Sequence, residues 1–149
     1  MEMDKTLLAA LTTIVVGGLI ALQAPINSGL GRATGTLPAA AISFSVGTLL
    51  LLGIVVVSGQ ASQLSGAADV RPYYLIGGLL GAAYVTTVLL TVRTLGAGGV
   101  TAATVAGQLT TSVIIDRLGV LGLEKQPITL GRVVGILLLF AGTLLVIRS

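Results

Sequence analysis

Five apolar runs, at residues 7–24, 38–57, 73–92, 100–115 and 131–147, take up most of this chain and decide its solvent before any fold is considered. A hydrocarbon layer about 30 Å thick is crossed by about 20 apolar residues of helix, and these runs are of that order. Only 9% of the residues are charged, against roughly a quarter in an average soluble domain. So few charges cannot clothe the surface of a short soluble chain. The expectation is an all-α membrane protein, a single transmembrane domain over 1–149 that crosses the bilayer five times. The charged lead at residues 1–5 is followed by no small-residue cleavage site, so the first run reads as a retained span and not as a removed signal peptide.

Absent residue types narrow the chemistry further. The chain has no Cys and no His, which removes disulfides, thiolate chemistry and imidazole metal ligands. No nucleophile lies beside a base, so no enzyme activity, metal or cofactor is expected. Without Trp, and with five aromatics in all, a cage for a quaternary ammonium ion is hard to build. The surplus of three positive charges points to anionic lipid headgroups and not to nucleic acid.

What distinguishes the runs is the polar residues inside them. Gln23, Asn27 and Ser28 surround Pro25 at the end of the first. Proline frees the carbonyl of Ala21, so either the helix frays here into the headgroups, or it kinks and turns Gln23 and Asn27, at i and i+4, to a shared cavity. Pro38 marks the first turn of the second span, where Ser43 and Gly47 share a face suited to close packing or to a ligand. The stretch 58–72 is a polar surface loop, with Tyr73 and Tyr74 placed as interfacial anchors at its exit. In the third span Gly77 and Gly81 form a packing face, and the Tyr84 hydroxyl near the middle needs a partner, from a neighbouring helix or a solute. The segment 95–99 is a glycine turn without the Lys-Ser/Thr pair of a phosphate loop. The fifth span repeats the packing spacing at Gly131 and Gly135.

The fourth span carries the densest polar stripe. Gln108, Thr111, Ser112 and Asp116 fall at i, i+3, i+4 and i+8 on one helical face, broken only by Ile115. Inside a membrane each such group costs free energy unless it meets a partner or a wet cavity. Asp116, at the span boundary, reads either as an ion-coupling carboxylate or as an interfacial cap paired with an arginine.

Five crossings put the termini on opposite sides, with Lys5, Arg71, Arg117, Lys125 and Arg132 on one and Arg32, Arg93 and Arg148 on the other. Five positive residues against three is a weak orientation signal, so insertion in both directions and an antiparallel homodimer, a 5+5 inverted repeat, are expected.

Three motifs carry a resemblance over essentially the whole chain: Leu22 to Arg32, Ala41 to Thr48, and Gly107 to Ser112 continuing through Asp116 and Gly119. The chain resembles the YdcZ-like inner-membrane exporter family of the drug/metabolite transporter superfamily. That resemblance implies a bacterial inner-membrane protein of five helices, found as dual-topology singletons, gene pairs and ten-helix fusions. Gln23, Asn27, Ser43, Gln108 and Asp116 are the positions that match its motifs. Unlike the related small multidrug resistance transporters, this chain has no acid deep in its first span. The function expected is secondary transport, by alternating access in the dimer, of a small polar or charged solute held by Gln23, Asn27, Ser43, Tyr84, Gln108, Thr111 and Ser112 near the midplane. A passive channel lined by the same neutral side chains is the alternative.

Overall fold

The structure, a computed structural model, describes residues 2–148, with side chains from Lys5 onward. Every regular element among them is helical: α1 (Glu2–Thr34), α2 (Thr36–Val57), two 3₁₀ segments (Ala61–Ala68 and Pro72–Ile76), α3 (Gly77–Leu118) and α4 (Leu130–Arg148). Four of these helices are long and apolar enough to cross a membrane. The chain divides into two compact units, Met1–Arg93 and Thr94–Ser149.

Of two expected spans, 100–115 lies within α3, and 73–92 begins in the second 3₁₀ segment and continues into the same helix. That helix is interrupted at Gly96, whose φ of 69° and ψ of 168° are open to glycine and to almost nothing else, so it comprises two arms, 77–95 and 97–118. The expected glycine turn is thus a break at one residue, with Gly98 and Gly99 already helical. Four helices and this break give five helical segments.

In the first unit α1 is longer than the run that announced it. It continues without a break through Pro25 to Thr34, 33 residues that extend about 50 Å at 1.5 Å per residue. Gly35, at φ 91°, is the whole connection to α2: its N–H donates to the Gly31 carbonyl at 3.0 Å, and its own carbonyl accepts from Ala39 at 3.1 Å. The N-terminal half of α1, residues 5–20, is exposed throughout, while Ala24, Asn27, Ser28 and Gly31 are buried. Those small residues let α1 come close to α2, as close packing of helices in lipid requires. A core of Ala39, Ala40, Val85 and Leu89 is flanked by Leu30 and Tyr84. The Phe44 ring lies over Gly81, where an added Cβ would come within 3.2 Å of it, so this glycine receives an aromatic edge from α2; Gly77 has no such neighbour.

The loop at 58–72 is exposed as expected, but much of it is wound into the first 3₁₀ segment. Pro72 opens the second, in which the rings of Tyr73 and Tyr74 lie with centroids 4.3 Å apart and planes tilted by 41°.

The second unit is a pair of antiparallel helices. Gly98 and Gly99 lie against Val146 and Ile147 at one end, Thr143 meets Ala102 one turn further in, and Asp116 meets Arg132 at the other end. The glycines that accept α4 are therefore Gly98 and Gly99 on α3, whereas Gly135, part of the expected packing face, has no neighbour within 4 Å. The connection between them uses three left-handed positions, Gly119, Leu121 and Gly122, and the Gln126 N–H ties it back to the Asp116 carbonyl at 2.9 Å.

Candidate functional site

The expected solute-binding residues fall into two groups, one in each unit. Gln23, Asn27, Ser43 and Tyr84 belong to the first, and Gln108, Thr111, Ser112 and Asp116 to the second.

In the first group Asn27 is the buried member, at 6% exposure, and its neighbour Ser28 is buried to the same degree at 5%. Neither side chain makes a hydrogen bond among the described residues. Gln23, one turn earlier on α1, is exposed, and Ser43 and Tyr84 are half-buried. Tyr84 packs against the Ala39–Leu89 cluster. Neither Asn27 nor Ser28 is among the fully shielded polar atoms that lack a partner, so the pair keeps its amide and hydroxyl within reach of a ligand or water at an otherwise buried place on α1.

One turn beyond them the packing is tight. A Cβ built on Gly31 would lie 3.1 Å from Leu89 Cδ2, 3.3 Å from an Arg93 guanidinium nitrogen and 3.7 Å from the Ala39 Cβ. Glycine at 31 is what admits the Arg93 head group to the face of α1 that also carries Asn27 and Ser28, at i−4 and i−3. Ser28, Gly31 and Arg93 were not anticipated as site residues. The Asn27–Gly31 spacing was visible in the sequence, but the arginine sits more than sixty positions away and nothing local indicated it.

In the second group the stripe is open. Gln108, Thr111 and Ser112 are exposed, on a side of the arm that α4 does not cover. Thr110, between them, spends its hydroxyl on the Ala106 carbonyl at 2.8 Å and is internally satisfied. Asp116 departs from the stripe. Its Oδ2 lies 3.2 Å from Arg132 Nη1, with both side chains about one-third exposed. That nitrogen is shielded yet makes no aligned hydrogen bond, so the contact is an ion pair by proximity. The arginine it meets is on α4 and is held there by its helix start: the Arg132 N–H donates to Thr129 Oγ1 at 3.3 Å, an N-terminal cap. The geometry makes Asp116 a clasp between the two helices of its unit.

An open groove of about 470 Å³ runs along α2 beside Leu49, Gly53 and Val57. Its lining is almost wholly apolar, as a surface against lipid chains would be, and none of the expected solute-binding residues lines it.

No group of three or more Asp or Glu side chains is placed to hold a metal ion among the described residues. Neither a curated protein nor a solved structure matches the chain. A family model does: the one described as "Putative inner membrane exporter, YdcZ" matches residues 8–145. With helices of membrane-crossing length and polar side chains set into them, this integral membrane protein belongs to that YdcZ family of inner membrane exporters.

Proposed function

We propose that the protein is a secondary transporter that exports a small polar or charged solute by alternating access in an antiparallel homodimer. The observation that carries this reading is the stripe of Gln108, Thr111 and Ser112: three polar side chains on a membrane helix, exposed and uncovered by the chain's own α4. Facing lipid they would cost free energy, and facing a solute path or a second copy they would not. Membership of an exporter family supports the solute path.

In this proposal each arm of α3 crosses the bilayer. At 1.5 Å per residue, 77–95 spans about 28 Å and 97–118 about 33 Å, each sufficient for the hydrocarbon layer. Five crossings and a five-to-three division of basic residues support insertion in both orientations, and two oppositely inserted copies form an inverted pair that alternates access. Lipids cover the exposed apolar faces. Asp116 serves here as a structural clasp and is not needed as a coupling group.

Counterflow in proteoliposomes tests the reading. Saturable exchange that is lost in Gln108→Ala is the expected result. Unitary currents in planar bilayers, or flux that never saturates, would replace the transporter with a passive channel lined by the same side chains. Orientation is tested by adding two lysines to either terminus: native protein found in one fixed orientation overturns the antiparallel homodimer.

A further inference from the structure

We infer that Arg93, Asn27 and Ser28 form an oxyanion-binding site on the face of α1 around Gly31, and that the solute carries a carboxylate or phosphate group. This rests on the transport reading for its use, but the site itself stands on separate observations. Asn27 and Ser28 are each more than nine-tenths buried and hydrogen-bond to nothing among the described residues. An amide and a hydroxyl are able donors, and since neither polar group is fully shielded or partnered, both are free to meet a ligand. The Arg93 guanidinium reaches the same helix face one turn away, 3.3 Å from where a Cβ on Gly31 would stand. No carboxylate pairs with it among the described residues; the ion pair found there is between Asp116 and Arg132, in the other unit.

All three groups can donate hydrogen bonds, and one of them is a cation. A planar guanidinium that offers five N–H donors in a fixed fork is suited to the two oxygens of a carboxylate or to phosphate, and amide and hydroxyl donors alongside strengthen such a contact. A cationic solute would meet an unpaired arginine here and be repelled. Arg32, adjoining Gly31 in the sequence, adds a second positive charge close by. Gly31 is the permissive element, because a larger residue would displace Leu89 and the guanidinium together.

A phosphate-bearing lipid headgroup presents the same chemistry as a soluble anion, and the experiment separates them. Full-length protein in phosphatidylcholine nanodiscs is melted while sodium acetate or sodium phosphate is titrated against sodium chloride at constant ionic strength. The expected result is a saturable rise in melting temperature for at least one of the two anions. It should be abolished in Arg93→Gln, partly kept in Arg93→Lys, and weakened at least tenfold in apparent affinity in Asn27→Leu. A rise seen only when phosphatidylglycerol replaces part of the lipid, and lost in Arg93→Gln, assigns the site to a headgroup and still supports an oxyanion site. Identical responses of wild type and both Arg93 variants to acetate, phosphate and phosphatidylglycerol overturn it. Anion binding by a protein that moves no solute would sink the transport reading alone. Saturable transport with no anion response would sink this inference alone.

Discussion

The hydroxyl of Thr143 on α4 donates to the main-chain carbonyl of Ala102, 41 residues earlier in the sequence, across 3.1 Å. That carbonyl also belongs to the hydrogen-bond ladder of α3, so Thr143 adds a second bond to an acceptor with a lone pair to spare. Polar contacts between helices are worth about 0.6 kcal/mol on average in membrane proteins, with a maximum near 1.7. Thr143 is 8% exposed, so Thr143→Val, which keeps the shape, should cost about 1 kcal/mol, and Thr143→Ser should recover much of it. Thermal unfolding in micelles measures both; equal midpoints for wild type and the valine variant would show the bond to be idle.

The Asp116–Arg132 pair should be worth less than its position at the open end of the helix pair suggests. Both side chains are about one-third exposed, and solvent screens the attraction. A double-mutant cycle with Asp116→Asn and Arg132→Gln should give a coupling below about 1 kcal/mol. Counterflow in Asp116→Asn should remain saturable, because the carboxylate is a clasp; complete loss of exchange with an unaltered melting curve would restore Asp116 as a coupling group.

Glycines in this chain divide by backbone conformation. Gly96→Ala forces a Cβ into a region nearly closed to it and should cost about 1–3 kcal/mol, and Gly35→Ala, at φ 91°, should behave alike. Gly53→Ala and Gly135→Ala, in helices with no neighbour within 4 Å, should be neutral or stabilising. Ranking the four by melting temperature is the check, and a neutral Gly96→Ala would deny the break at that residue.

Leu121 presents the opposite case, a branched side chain at φ 61°. Leu121→Gly or Leu121→Asn should stabilise the connection by about 1 kcal/mol, since the left-handed conformation costs roughly 1–2 kcal/mol per residue for L-amino acids in general. An unchanged or lowered melting point would mean that the exposed leucine contributes through lipid contact.

Gln108→Ala separates function from stability. An exposed side chain without a hydrogen-bond partner among the described residues should cost no more than about 0.5 kcal/mol when truncated, so a lost counterflow signal with an unchanged melting curve is expected. A large fall in stability would indicate instead that Gln108 holds two copies together.

Helix content, the first turn of α2 around Pro38 and the exposed loop at 58–72 were legible because each has a local cause: apolar length, proline geometry, turn composition. The extent of α1 was not. Proline sacrifices one hydrogen bond, and whether a helix survives that loss depends on the tertiary packing that buries Ala24, Asn27 and Ser28 on either side of it. Nor could composition choose among Gly96, Gly98 and Gly99, for all three permit a break and only one makes it. The pairing of Asp116 with Arg132 was hidden for a related reason. Arg117 is adjacent in sequence but points around the helix, while the antiparallel register that brings Arg132 near is set by contacts as distant as Gly98 with Val146. Of the site, the polar residues themselves were legible and their burial was not, which is why Gln23 and Asn27, equal on paper, differ so sharply.

The single-residue joint at Gly35 has a consequence for handling the protein. With Thr34 helical on one side and Thr36 on the other, that end of the helix pair offers no strand of chain for a protease to grip and no slack for an inserted tag. The exposed stretch around residues 60–66 offers both. Reporters of sidedness belong there, where an epitope can be read from either face of the membrane without prising two helices apart.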